Sequence, residues 1–369
     1  MSKRGNGEGS IYYSAKLKRW VGQYTYNGKR KSVYAKTRTE VKNKVNKALV
    51  NIIDNKYVDK TNITISDLAI EYIENLYKNN IIKDRAYKRR MDTYKIISNT
   101  NIADIPIQNL SDLELTNTLS ELAQKYSNST IDKVYGLLNN CYEEAINKKI
   151  LYTSPFPKQI IKPKSTKKDK EIRAFTVNEQ KTFLNNIKDD KYEDLFKILI
   201  FTGMRIGEVL ALKEEDINFY EKTIKISRTL TRDKNDKVIL GDSTKTKAGE
   251  RIIPITDYIY TILSKIIKND NTNFLFLQQN GNFINPINVN LHFKNVCKKL
   301  NITDVNLHML RHTYATRCIE AGMSPVVLQK LLGHKDISTT LNTYTSVFNK
   351  FKIDEIEKVN NYLVALKLH

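Results

Sequence analysis

The sequence predicts a multidomain α+β chain. A small sheet-and-helix module comes first, then an all-helical module, then a mainly helical module with a small antiparallel sheet. Three observations predict it. Strand-like segments joined by a turn signal fill the first sixty residues. Helical apolar spacing then runs to about residue 154, and a Pro- and Lys-rich break follows. The 369 residues carry 61 Lys and Arg against 40 Asp and Glu, a formal net charge of +21, and 40% are hydrophobic. That composition suits folded cores rather than a basic tail, and the charge points first to nucleic acid and then to an acidic membrane surface.

Within residues 1–60, 15 Lys and Arg stand against 4 Asp and Glu. Ser10 to Tyr13 and Arg19 to Tyr26 read as strands, Asn27-Gly28 is a hairpin turn signal, and Lys29 to Tyr34 is the next strand. Lys36 to Ile53 reads as an amphipathic helix with Val41, Val45, Leu49 and Ile52 on one stripe. A basic sheet of this width fits a DNA major groove, with Arg19, Trp20, Lys29, Arg30 and Lys31 as candidate contacts. The competing reading is a solvated basic face.

Residues 61–160 read as helical. Thr64 with Asp67 marks a helix start, and Ser111 with Glu114 is a capping box. Ile131, Val134, Leu138, Cys141 and Ala145 line a further helix. Lys83–Lys95 is helical too and holds Lys88, Arg89 and Arg90, which either touch phosphates or are solvated. Residues 161–172 read as an extended basic linker, and the capping box Thr176 with Glu179 opens a last domain, 173–369. Cys141, Cys297 and Cys318 are odd in number and unpaired in spacing, which excludes a disulfide scaffold and a cysteine zinc site. No apolar run reaches the roughly 18 residues of a membrane span. The opening MSKRGNGEGS has no apolar stretch, so a secretory leader is not expected. A cytoplasmic, bacterial, nucleoid-associated location is the expectation.

The last domain concentrates chemistry in four clusters. Thr202-Gly203-Met204 breaks an apolar helix, and Arg205 follows in the first turn of another, with Glu208 on the same face. Thr223–Ser227, Lys237–Leu240 and Arg251–Ile255 read as strands, with Lys245 in the turn between the last two. His308 and Arg311 share a helix face. His308 and His312 stand at metal-ligand spacing, but Met309 occupies the position where a zincin motif needs Glu, so no metal is assigned. Ser324-Pro325 opens a helix ended by Gly333, His334 follows, and Ser338 reads as the cap of the helix that carries Tyr344.

The phrases TGMRIGE, KTKAGERIIP, HMLRHTYAT and LLGHKDISTTLNTY, in this order, resemble the tyrosine recombinase (phage integrase) family. The whole layout resembles lambda-like and conjugative-transposon integrases. The resemblance implies an arm-type DNA-binding domain over 1–60, a helical, SAM-like core-binding domain over 61–160 and a catalytic domain over 173–369. It implies a site-specific integrase/excisionase of a mobile element that cuts and rejoins DNA through a 3′-phosphotyrosyl intermediate. Tyr344 would be the nucleophile, with Arg205 and Arg311 neutralising the phosphorane. His308 would be the base, Lys245 the general acid, and His334 would bond the phosphate and help position Tyr344. Glu208 would orient its neighbours, and His312 would be structural. No metal, cofactor or ATP is implied. Expected partners are double-stranded DNA at core and arm sites, a homotetramer on synapsed DNA, and an excisionase or host bending protein, with no membrane. The alternatives are a type IB-like topoisomerase and a non-catalytic DNA-binding regulator of the same fold.

Overall fold

A computed structural model describes the chain except residues 1–8, 55, 157–162, 167–172, 242–249, 268–272, 339, 342–343, 345–351 and 367–369, and the side chains of 352–358. The chain divides into two compact units, Met1–Asp169 and Lys170–His369.

The first unit holds two separate hydrophobic clusters. Strands β1 (Ser10–Ser14), β2 (Arg19–Tyr26) and β3 (Lys29–Ala35) form an antiparallel sheet in that order. Helix α1 (Arg38–Ile53) covers one face with Val41, Val45 and Ala48. It starts two residues later than expected because β3 runs on to Ala35 and the Thr37 hydroxyl accepts from the Glu40 amide at 3.2 Å. Gly22 on β2 lets this helix close down, since a Cβ there would stand 2.4 Å from a Val45 methyl.

The second cluster packs helices α2 (Ile65–Lys78), α3 (Asp84–Ser98), α4 (Asp112–Lys125) and α5 (Asn128–Asn147) around Ile73, Ile97, Leu115, Leu119, Leu138 and Tyr142. Both capping boxes form: Asp67 accepts from the Thr64 amide at 3.0 Å and Glu114 from the Ser111 amide at 2.9 Å.

The second unit is helix-rich. Helices α6 (Val177–Asn186), α7 (Glu193–Thr202) and the single turn α8 (Ile206–Val209) precede the strands. Strands β4 (Ile217–Asn218), β5 (Thr223–Ile226) and β8 (Arg251–Pro254) make one antiparallel sheet, and β6 (Thr229–Arg232) pairs with β7 (Val238–Gly241) in another. Helices α9 (Asp257–Ile267), α10 (Pro286–Lys299), α11 (His308–Glu320), α12 (Pro325–Leu332) and α13 (Lys352–Ala365) follow. Phe175, Phe183, Phe196 and Phe293 interlock edge to face and tilted in the core. Among the described residues, no helix is long and apolar enough to cross a membrane.

Two local expectations need correction. The strands flanking Lys245 do not pair with each other: β7 joins β6, and β8 joins β5. The polar strand Thr229–Arg232, too weakly apolar to read from sequence, takes the edge of β7. Ser338 is already helical, and Asp336 caps that segment by accepting the Ser338 amide at 2.9 Å.

Candidate active site

The site is built where α7 meets α11 and α12. Gly203 ends α7 with φ of +64°, and a Cβ there would lie 2.4 Å from the Tyr314 ring on α11. Arg205 follows in extended conformation at the entry to α8. Its backbone amide donates to Glu208 Oε2 at 2.9 Å and its Nη1 to Oε1 at 2.8 Å. Arg251, from β8, grips the same carboxylate with Nη1 at 3.1 Å and Nη2 at 2.8 Å. Glu208 is 3% exposed. Burial pushes its carboxyl up, but the Arg251 hydrogen bonds and the charges of Arg251 and Arg205 prevail and hold it at about 2.

Three guanidiniums converge on the last carbonyls of α12. Arg251 Nε donates to Leu331 O at 2.6 Å, Arg311 Nη2 to Leu332 O at 2.7 Å, and Arg205 Nη2 to Gly333 O at 3.3 Å. These are orphan acceptors at the negative end of a helix, so cations suit them. Arg311 Nη1 also donates to Gly203 O at 2.8 Å, tying the end of α7 to the end of α12. Burial and then the Arg205 charge lower Arg311 to about 9, so it stays cationic at neutral pH. Arg205 keeps 40% of its side chain exposed, which leaves donors for a ligand.

Three imidazoles line the same region. His308 opens α11 and His312 sits one turn on, their rings edge to face at 4.7 Å. His312 Nδ1 lies 2.9 Å from the Tyr344 hydroxyl, and His334 Nδ1 lies 2.8 Å from the Thr340 hydroxyl. Burial, followed by neighbouring positive charge, brings each histidine down to about 4. The phenol of Tyr344 is 3% exposed among Ala315, Cys318, Ile319, Leu328 and Leu332. Burial pushes it up to about 12 against the pull of Arg311. All three imidazoles are neutral at pH 7, so they accept or share protons rather than add charge.

Arg205, Glu208, Arg311, His308, His334 and Tyr344 therefore gather around the α7, α11 and α12 ends. The contact to the Tyr344 hydroxyl comes from His312, and His334 bonds Thr340 on the same segment. Lys245 lies outside the described residues. Arg251 was missed by the sequence reading. Its signal was the alternation of β8, which turns Arg251 to the same side as buried Ile253. Among the described residues, no group of three His, Cys, Asp or Glu could hold a metal ion.

The candidate DNA-contacting residues lie in the first unit. Register places Arg19, Gln23, Arg30, Ser32 and Tyr12 on the open face of the sheet, where Gln23 reaches the Tyr12 and Ser32 hydroxyls at 3.4 and 3.5 Å. Trp20, Lys29 and Lys31 fall on the face that α1 covers. Trp20 packs against the core there with Arg38 over its ring, and Lys31 pairs with Asp59 at 2.6 Å. Lys88, Arg89 and Arg90 lie on α3, and the two arginines line a cavity of about 310 Å³ with Lys133 and Asn140 of α5.

Residues 173–350 match the model of the phage integrase family. The chain carries a domain of this family. It is a tyrosine recombinase of the integrase type, 26% identical to a XerC-like tyrosine recombinase of Caldanaerobacter subterraneus subsp. tengcongensis over 92% of this chain and 94% of that protein. The integrase of Staphylococcus phage L54a is 26% identical over 78% of this chain and 90% of its own. In structure, the chain is similar to the Tn1549 transposon integrase in complex with a circular intermediate DNA. That match has a TM-score of 0.68 at 25% identity, covering 80% of this chain and 99% of that one. The helix-rich unit with its small antiparallel sheets is thus a phage integrase fold.

Proposed function

We propose that this tyrosine recombinase is the site-specific integrase and excisionase of a mobile element, with Tyr344 as nucleophile. The observation that carries the reading is a buried tyrosine hydroxyl held by an imidazole beside arginines anchored on the end of α12. A phosphodiester seated on Arg205 and Arg311 meets planar paired donors that stay charged. Tyr344 Oη attacks phosphorus, the bond from phosphorus to the 5′ oxygen breaks, and a proton from Lys245 goes to the leaving oxygen. The 3′-phosphotyrosyl bond keeps the energy of the phosphodiester, so a second 5′ hydroxyl can reverse the step. Glu208 orients Arg205, and His334 fixes the Tyr344 segment through Thr340 while facing the phosphate. His308 adds a neutral imidazole on the Arg311 face.

In this reading residues 1–60 are an arm-type DNA-binding domain, 61–160 the core-binding domain, 161–172 a linker and 173–369 the catalytic domain. Tyr12, Arg19, Gln23, Arg30 and Ser32 make the arm contact, and Arg89, Arg90 and Lys133 bind core-site phosphates. The working form is a homotetramer on two synapsed sites in the bacterial cytoplasm, assisted by an excisionase or host bending protein.

Covalent capture tests this. The protein is mixed with nicked, fragmented source-genome DNA and quenched with SDS, and the linked DNA is sequenced. Enriched adducts at a few loci, absent for Tyr344→Phe, are the expected result. Adducts spread evenly over the genome would favour a topoisomerase, and binding without adducts a regulator.

A further inference from the structure

We propose that His312 belongs to the catalytic machinery: it holds the Tyr344 hydroxyl through Nδ1 and takes its proton as the tyrosine attacks. This rests on the reading of Tyr344 as nucleophile and assigns to His312 the base role that the family resemblance gives to His308.

Three observations carry it. Among the described residues, the Tyr344 hydroxyl is hydrogen-bonded to His312, at 2.9 Å, within the range of a productive base contact. His312 is fixed rather than mobile, because it sits mid-helix on α11 with its ring edge-on to His308 and 5.8 Å from the Tyr344 ring centre. Tyr344 is otherwise walled by Ala315, Cys318, Ile319, Leu328 and Leu332, none of which accepts a phenolic proton at neutral pH.

The proton balance closes. The Oη–H bond breaks as the Oη–P bond forms, the proton moves to Nδ1 of neutral His312, and the leaving 5′ oxygen is protonated separately. Among the described residues, the charged and titratable groups facing His312 are His308 and Arg311 on its own helix, His334 beyond α12 and Tyr344 itself. In the free protein, burial first, and then His308 and the Arg311 charge, keep His312 neutral. A phosphodiester on Arg205 and Arg311 adds a negative charge there and raises the basicity of His312, so proton acceptance is coupled to substrate binding.

The test is single-turnover cleavage of a nicked duplex carrying a captured core site, followed as covalent adduct against pH. His312→Asn keeps an acceptor near the Nδ1 position but takes no proton, whereas His312→Phe removes both. We expect both variants to bind DNA as wild type does and to cleave about 10²–10⁴-fold more slowly. The rising limb of the pH profile is expected to vanish in His312→Asn and to persist in His308→Asn. A 5′-bridging phosphorothiolate, whose leaving group needs no acid, should not rescue either His312 variant but should rescue Lys245→Ala. Cleavage by both His312 variants within about threefold of wild type would overturn the proposal. So would full recovery in His312→Asn alone, or loss of the limb only in His308→Asn. Absence of any adduct with the wild-type protein would instead strike down the recombinase reading, and this inference with it.

Discussion

Glu208 shows most clearly how single residues hold this site. Its carboxylate is buried between Arg205 and Arg251, so removing one guanidinium leaves a charge in the interior with half its partners. Arg251→Met is expected to cost about 3–5 kcal/mol in urea denaturation of the full chain, and an unchanged midpoint would refute the shared grip. Arg205→Ala and Arg311→Ala are expected to abolish adduct formation while DNA affinity stays largely intact in a gel-shift assay. A matched loss of affinity would contradict their assigned role. The histidines set a pH limit. His308, His312 and His334 each fall from the ordinary 6.5 to about 4 in the folded chain. Between those values the unfolded chain binds the extra protons, so stability falls as pH drops from about 6.5 toward 4. Thermal melts across that window should show it, with a shallower slope in His312→Asn.

At the scale of elements, local signals were legible where one short rule decides the outcome. The boxes at Thr64, Ser111 and Thr176, the Asn27-Gly28 turn, Ser324-Pro325 and the Gly333 stop each form helix and strand ends as read. The rest depended on tertiary partners. Thr229–Arg232 became a strand because β7 offered an edge, and Asp336 displaced Ser338 as cap by one local hydrogen bond. The motif phrases brought Arg205, Arg311 and the histidines into one neighbourhood, yet only the folded chain shows Arg251 gripping Glu208 and His312 on the tyrosine. Spacing along a helix gives a shared face; it does not say which of two imidazoles a distant segment will meet. One packing position can be tested by overfilling it. Gly22→Ala forces a methyl into Val45 and Val41 and is expected to destabilise the sheet and α1 by about 1–3 kcal/mol, measured by proteolysis of the first unit. Unchanged cleavage kinetics would show that α1 can shift without loss.

For the whole molecule, the net charge of +21, about half of it in the first sixty residues, bears on how the chain meets DNA. Affinity for duplex should fall steeply with salt as displaced counterions are released. Deleting residues 1–60 is expected to leave core-site binding while impairing integration in a two-plasmid assay. Undiminished integration would remove the arm-domain reading. The arginines on the α12 carbonyls bear on a different question, which is when order is imposed. In the proposed reaction, the two long side chains that embrace a crowded, doubly charged phosphorus centre are already held by Leu332 O, Gly333 O and Gly203 O before DNA arrives. Their loss of rotamer freedom falls on folding rather than on the reaction, and the phosphate enters a frame that does not rearrange as charge builds. Speed at the scissile bond is thereby written into the stability of one two-turn helix.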